Sequence, residues 1–134
     1  MKHLKYLRYI VRHKWFVLLE CWKRGLYWRG LVHDLSKFRP SEWFPYAQYF
    51  YGDNKEEALD GFYDARAHHQ NRNKHHWQYW VRIDDDNEGL MLMPMPAKYR
   101  AEMLCDWIGA VRAHRQARRC GLVLEEQGQD VAAS

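Results

Sequence analysis

Apolar side chains recur at intervals of three and four residues through the first 24 positions of the chain. They stand at Leu4, Leu7, Ile10, Val11, Leu18 and Trp22. Because this spacing repeats on one face of an α-helix, it predicts an amphipathic helix over residues 3–24, with Gly25 as its C-terminal stop. His13 lies three residues after Ile10 and four before Val17, so we expect its imidazole on the inward face of this helix.

Two shorter helices are predicted after the first. The pattern favours a helix near residues 31–38, which Pro40 ends because the residue before a proline avoids helical angles. Ser41 suits the N-cap of a third helix over residues 42–51. The His-Asp dipeptide at 33–34 therefore falls inside the second predicted helix.

A longer helical pattern covers residues 55–80, with Asn54 as its N-cap. It carries half of the eight histidines in the chain. At helical spacing, His69 and His76 share one side of this helix, whereas His75 points elsewhere. We therefore expect His69 and His76 to act together if this helix faces a site.

The pattern changes between residues 81 and 95, where short apolar runs flank an acidic stretch. This favours a small hairpin or an irregular excursion. A last helix is predicted over 97–118, with Asp106 on its apolar strip. Together the elements predict an all-α protein, a compact bundle of five or six helices in one domain over 1–120, followed by a flexible polar tail over 121–134.

Composition limits the partners and the compartment. The 134-residue chain has a net charge of +4, and the excess of Lys and Arg near its start favours anionic partners such as phosphates, nucleic acid or an anionic membrane surface. Its three cysteines have no paired spacing and are expected to be reduced thiols in a cytoplasmic protein. The apolar runs near the start are too short for a membrane span. Composition leaves a monomer and a homo-oligomer both open.

Two carboxylates in apolar surroundings are the first sign of chemistry. A buried, unpaired carboxylate is costly, so Asp34 and Asp106 each need a partner. Taken separately, Asp106 could pair with Arg112, and His13 could be a hydrogen-bonded core histidine. A divalent cation shared with His13 and His33 would compensate both carboxylates at once. A mixed nitrogen and oxygen shell suits Mn²⁺, Fe²⁺, Co²⁺, Ni²⁺ or Zn²⁺ more than Ca²⁺, with Mg²⁺ as a further candidate.

These residues also carry a resemblance to a known signature. In chain order the set is His13, His33, Asp34 and Asp106. A His, a later His-Asp pair and a distant Asp in a small all-α domain resemble the HD-domain metal-dependent phosphohydrolase superfamily, in which these residues bind one metal. The stretch at 33–37 is similar to the HDxGK form of that signature, with Ser36 in place of the glycine.

The likeness extends to a bacterial and phage branch of this superfamily. Its members share an HDLSKF stretch, a Ser-Glu-Phe/Trp segment, an HxxxNxHH run and a CDW segment. These correspond here to residues 33–38, 41–43, 69–76 and 105–107. The resemblance implies an HD-like fold and the hydrolysis of a nucleotide or related small phosphate ester by metal-activated water. It does not decide between a phosphomonoesterase and a phosphodiesterase.

The resemblance further implies roles for individual side chains. The metal ligands would be His13, His33, Asp34 and Asp106, and a second ion would add His69 and His76. The catalytic candidates are Lys37, Glu42, His69 and His76. The substrate phosphate would be bound by Lys37, Arg72, Asn73, Lys74 and His75. No Gly-Tyr-Pro motif follows the histidine-rich run, so the sequence leaves the number of ions open.

Two other functions stay open at this point. In the first, basic and aromatic side chains of the N-terminal third bind nucleic acid or a partner protein. The residues concerned are Arg8, Arg12, Lys14 and Arg29 with Tyr6, Tyr9, Trp15 and Trp28. In the second, an HD-like protein keeps its metal only as a structural pin.

Overall fold

Five α-helices and one antiparallel hairpin make up residues 1–86 and 89–120, which a computed structural model describes. The helices are α1 (Lys2–Lys23), α2 (Tyr27–Val32), α3 (Pro40–Tyr51), α4 (Lys55–Arg72) and α5 (Ala97–Arg119). The strands are β1 (Val81–Asp84) and β2 (Gly89–Leu92), paired with Val81 opposite Leu92. This confirms the all-α class and the small excursion predicted near 81–95. The tail predicted over 121–134 lies outside the described residues.

The segment around the His-Asp dipeptide differs from the prediction. The second helix comes earlier, since α2 ends at Val32, and a 3-10 turn follows over Leu35–Phe38. Between them Asp34 adopts φ 54° and ψ 26°, the left-handed conformation. Asp tolerates this conformation better than most residues because its short side chain bonds locally. The dipeptide therefore lies in a sharp turn and not inside a helix.

The starts of α3 and α4 show which caps the chain uses. Pro40, not Glu42, is the first residue of α3, because its fixed φ suits the first helical position and its missing N–H is not needed there. Arg39 and not Ser41 is thus the N-cap of α3. Asn54 caps α4 as predicted, since its side chain accepts a hydrogen bond from the backbone N–H of Glu57 at 3.4 Å.

The helix predicted over 55–80 is interrupted at its histidine-rich end. α4 stops at Arg72, and the side-chain amide of Asn73 donates to the carbonyl oxygen of His69 at 2.8 Å. The chain then turns and enters a 3-10 turn over Trp77–Trp80. His75 and His76 consequently lie beyond the helix that carries His69, so helical spacing does not relate them.

α1 is the central helix, because it packs against α2, α3 and α5. Two apolar clusters lie along it. One includes Tyr6 and Ile10, packed with α3 and α4, and the other consists of Val17, Cys21 and Cys105. Between the two clusters α1 places His13, which is almost fully buried. A polar site is thus built into the middle of the core.

Glu20 lies on α1 where α5 packs against it, and three cations surround its carboxylate. Lys23 Nζ lies 2.8 Å from Oε1, and Arg24 Nη1 lies 2.9 Å from Oε2. Arg112 of α5 contacts the same carboxylate, and so it does not pair with Asp106. Hydrogen bonds from Lys23 and Arg24 lower the pKa of Glu20 to about 2.

We expect Glu20→Gln to lower the free energy of unfolding by about 1 kcal/mol at neutral pH, since its partners are partly exposed. The pKa of Glu20 is lower in the folded chain than its ordinary value of 4.5. The stabilisation is therefore complete above that value and is lost as the pH falls towards 2. Thermal unfolding of both proteins across this range measures it. A difference that stays constant down to about pH 3 would contradict the assignment.

Candidate metal centre

The packing of α1 against α5 brings His13 and Asp106 together. His13 Nε2 lies 2.9 Å from Asp106 Oδ1 and 3.7 Å from Asp34 Oδ2. One turn further along the two helices, Gly109 faces Val17 so closely that a Cβ on the glycine would lie 2.5 Å from Val17 Cγ2. This close approach of the helices sets the separation of the two site residues.

The turn after α2 directs the His-Asp dipeptide into the same place. His33 Nε2 lies 3.4 Å from Asp34 Oδ2 and 3.3 Å from Asp106 Oδ1. Asp34 is the one non-glycine residue with a positive φ in the described part of the chain. Such a conformation costs roughly 1–3 kcal/mol and persists where the surrounding structure enforces it, which is often at functional sites.

The end of α4 and the turn after it bring three histidines to the side of Asp34 that carries its other oxygen. His69 Nε2 lies 3.3 Å from Asp34 Oδ1, and His75 Nε2 lies 3.2 Å from it. The ring of His76 is centred 4.8 Å from that of His69 and 4.3 Å from that of His75. Oδ2 of Asp34 thus faces His13 and His33, whereas Oδ1 faces His69 and His75. One carboxylate is shared by two groups of side chains.

Most of the converging atoms lack an aligned hydrogen bond within residues 1–86 and 89–120. They are His13 Nε2, Asp34 Oδ1 and Oδ2, His69 Nε2, His75 Nε2 and His76 Nε2. Close approaches to charged groups, such as that of His13 to Asp106, do not have hydrogen-bond alignment. Because buried polar atoms are nearly always paired, this concentration of unpaired donors and acceptors is suited to a common binding partner.

A divalent cation fits these atoms. Two groups have ligand atoms that lie within 4.8 Å of one another: His13, His33, Asp34 and Asp106, and Asp34, His69, His75 and His76. All of these residues are buried. Imidazole nitrogens with carboxylate oxygens form the donor set that first-row transition metals accept. The described residues can therefore hold a metal ion, and Asp34 is common to both groups.

Two buried glutamates hold the outer nitrogens of the histidines. Glu102 Oε1 lies 3.2 Å from His33 Nδ1 and 3.4 Å from His75 Nδ1, so one carboxylate contacts a histidine of each group. Glu42 Oε2 lies 2.8 Å from His69 Nδ1. Carboxylates in this position fix the tautomer and leave the inner Nε2 free to bind a metal.

Glu42 was predicted from the sequence as a site residue, whereas Glu102 was not. Glu42, one of the predicted catalytic candidates, is buried and contacts His69. Glu102 lies four residues before Asp106, on the same face of α5, and this spacing was the available signal. Its second oxygen accepts from Arg29 Nη1 at 3.2 Å.

The remaining predicted site residues divide between the interior and the surface. Lys37 is buried, with Nζ 2.7 Å from Asp34 Oδ2. The side-chain amide of Asn73 donates to Ser36 Oγ at 3.3 Å. Arg72 and Lys74 are exposed next to the histidine-rich turn. The structure thus brings Lys37 to the cluster and leaves the other two cations at its rim.

The carboxylates of the site determine which of its basic side chains carry a proton. Burial alone would lower the pKa of His33, but Asp34, Asp106 and Glu102 raise it to about 10. Burial opposes the charge of Lys37 as well, yet Asp34 keeps the pKa of that amine well above its usual range. The pKa of His76 falls to about 2 through burial and the neighbouring imidazoles. The carboxylates thus stabilise positive charge at His33 and Lys37, which is the kind of charge that a bound cation would supply, whereas His76 is neutral.

We expect Glu102→Gln to weaken metal binding about 10- to 100-fold, because the carboxylates that orient ligand histidines contribute this much in metal sites. The exposed Glu56 of α4 provides the matched control, and Glu56→Gln should leave the affinity unchanged. Competition with a coloured chelator measures the dissociation constant of Zn²⁺ or Mn²⁺ for both variants. Equal affinities in the two would show that Glu102 does not support the ligands.

None of the described helices combines the length and the apolar character that a membrane crossing needs. The cysteines Cys21, Cys105 and Cys120 are all unbridged, in line with the absence of paired spacing.

Comparison with known proteins places the chain in one family. No curated protein and no solved structure matches it. Residues 2–130 match a family model that is described as a family of unknown function. Since this match spans nearly the whole sequence, the chain belongs to the family of unknown function DUF5662.

Proposed function

We propose that the protein is a metal-dependent phosphohydrolase of the HD type that acts on a nucleotide or a related small phosphate ester. One observation carries this proposal: four buried side chains from three segments far apart in sequence meet, namely His13, His33, Asp34 and Asp106. Among them, His13 Nε2 and both carboxylate oxygens of Asp34 lack an aligned hydrogen bond. Their order along the chain is the order of the HD signature, and their donor set suits Mn²⁺, Fe²⁺, Co²⁺, Ni²⁺ or Zn²⁺, with Mg²⁺ as a further candidate.

The proposal includes a second ion. Asp34, His69, His75 and His76 would hold it. His75, predicted from the sequence to bind the substrate phosphate, would thus be a metal ligand. When bound, a divalent cation lowers the pKa of a coordinated water and stabilises negative charge on a phosphoryl group.

The surrounding side chains would orient the ligands and the substrate. Glu42 holds Nδ1 of His69, so the Nε2 of that histidine stays directed at Asp34. Lys37 supplies a buried positive charge next to Asp34. Arg72 and Lys74 lie exposed beside the histidine-rich turn, where they would pair with the phosphate of an approaching substrate.

Nucleic-acid binding by the N-terminal third is less well supported. Tyr6 is fully buried and so has no face for a base to stack on. Lys14 donates to the carbonyl oxygens of Leu31 and His33, and Arg29 pairs with Glu102. Three of the side chains proposed to bind nucleic acid therefore make contacts within the protein instead.

Elemental analysis of the purified protein, alongside a phosphate-release screen of nucleotides with Mn²⁺, Co²⁺ and Mg²⁺, tests the proposal. We expect bound transition metal and metal-dependent release of phosphate. Lys37→Ala should reduce the release while metal content is retained, because Lys37 is not among the ligand groups. Metal content without phosphate release across the panel would leave only a structural metal, and absence of metal would reject the proposal entirely.

A further inference from the structure

The outer side of α1 and α2 carries an apolar surface that no described element covers. We call it the α1–α2 stripe, formed by Leu4, Val11, Trp15, Trp22, Trp28 and Leu31, each more than half exposed. On α1 its members recur at helical spacing and lie along one side of the helix. The ring of Trp22 meets that of Tyr27 edge-on at 4.9 Å, which continues the surface onto α2. Trp28 is the most exposed member, at 72%.

The charges around this stripe are all of one sign. Residues 1–39 contain two acidic side chains, Glu20 and Asp34, and both are buried. The exposed charged side chains of this segment are therefore all basic: Lys5, Arg8, Lys23, Arg24 and Arg39. Of these, Lys5 and Arg8 lie on the strip of α1 that borders the α1–α2 stripe. Lys23 and Arg24 pair with Glu20. The surface thus combines exposed indoles and aliphatic side chains with an excess of positive charge at Lys5, Arg8 and Arg39.

This combination discriminates between the partners that could cover it. A second copy of the chain would bring two basic strips together, and like charges in contact oppose such a pairing. Nucleic acid would pair with the charges but not with Leu4, Val11 and Leu31, because aliphatic side chains offer no stacking face. An interfacial helix on an anionic bilayer has Trp and Leu on one side and Lys and Arg beside them, as found here.

We propose that the α1–α2 stripe docks the protein on the surface of an anionic lipid bilayer. The indoles of Trp15, Trp22 and Trp28 enter the headgroup region, and the basic strip lies against anionic headgroups. From Leu4 to Trp22 the stripe extends about 27 Å at 1.5 Å per residue, so α1 lies along the membrane surface. His13 faces the core from the opposite side of α1, so docking requires no rearrangement of the metal centre. This inference does not depend on the proposed function.

Flotation with lipid vesicles tests the proposal on the intact protein. We expect the protein to float with vesicles of phosphatidylcholine containing about 30% phosphatidylglycerol and to stay behind with phosphatidylcholine alone, because an anionic surface attracts the Lys and Arg side chains beside the stripe. Added salt should weaken the binding. Failure to float with anionic vesicles, or equal flotation with both compositions, would overturn the proposal.

Matched variants locate the contact on the protein. Trp15→Ser should weaken binding about tenfold, whereas Trp77→Ser should not, although Trp15 and Trp77 are similarly exposed at 57% and 54%. Arg8→Glu should also weaken binding about tenfold, whereas Lys55→Glu on α4 makes the same change in net charge without effect. Equal losses of vesicle binding in the two variants of either pair would show that the α1–α2 stripe is not the contact surface. A dimer in solution that Trp15→Ser dissociates would identify a second copy as the occupant instead.

Discussion

Asp34→Asn is expected to weaken metal binding by more than about a hundredfold at both ligand groups, because a single carboxylate faces both of them. Asn has the same shape as Asp and also tolerates the left-handed conformation, so the backbone turn should persist. The substitution removes the carboxylate that lies next to Lys37 and one of the three that surround His33, and this should lower stability by about 3 kcal/mol. Elemental analysis and a calorimetric titration with Mn²⁺ measure the metal binding. Far-ultraviolet circular dichroism, recorded during thermal unfolding, measures the retained fold and the loss of stability.

Variants that affect one group each complete this test. His13→Gln should reduce binding only in the group that includes Asp106, and His76→Gln only in the group that includes His69. Asp60→Asn, an exposed change on α4, is the control for Asp34→Asn and should alter neither metal content nor stability. Full metal content in Asp34→Asn would refute the shared carboxylate, whatever the activity of the variant.

Gly109→Ala is expected to destabilise the protein by about 2 kcal/mol, because the new methyl group would overpack the contact between α1 and α5. It would lie 2.5 Å from Val17 Cγ2 and 2.9 Å from the backbone nitrogen of Val17, so a side-chain rotation alone cannot make room. The helices must separate, which moves His13 away from Asp106. Weaker metal binding should therefore accompany the loss of stability.

Gly61→Ala is the matched control for this substitution. Gly61 also lies inside a helix, α4, and a Cβ there would meet nothing within 4 Å. The alanine should raise stability by about 0.5–1 kcal/mol, since glycine is the poorer helix former. Urea denaturation compares the two variants directly. The same sign of change in both would show that the packing of Gly109 is looser than the structure indicates.

Apolar spacing predicted the long helices closely and the short ones poorly. The helices expected over 3–24 and 97–118 agree with α1 and α5 to within one residue at each end, because several turns of spacing define each of them. α2 has only six residues, too few for the spacing to repeat. The His-Asp dipeptide was for this reason expected inside a helix, where the structure has a left-handed turn.

The sequence predicted the site residues whose burial follows from their position on one face of a helix. The inward orientation of His13 and Asp106 follows from their positions on α1 and α5, and both are buried as expected. The contact between His75 and Asp34 was not predictable, because it depends on where α4 ends and how the chain reverses after Asn73. Continuous helical spacing pointed His75 away from the site.

By itself the sequence determined the all-α class, the buried faces of the two long helices and the donor chemistry available to a metal, because these depend on residue type and local spacing. Only the tertiary structure decided that Asp34 faces two groups of ligands and that Glu102 contacts a histidine in each. Those contacts join segments far apart in the chain. They arise from the closeness of the helix packing and from the points at which turns reverse the backbone, and local spacing specifies neither.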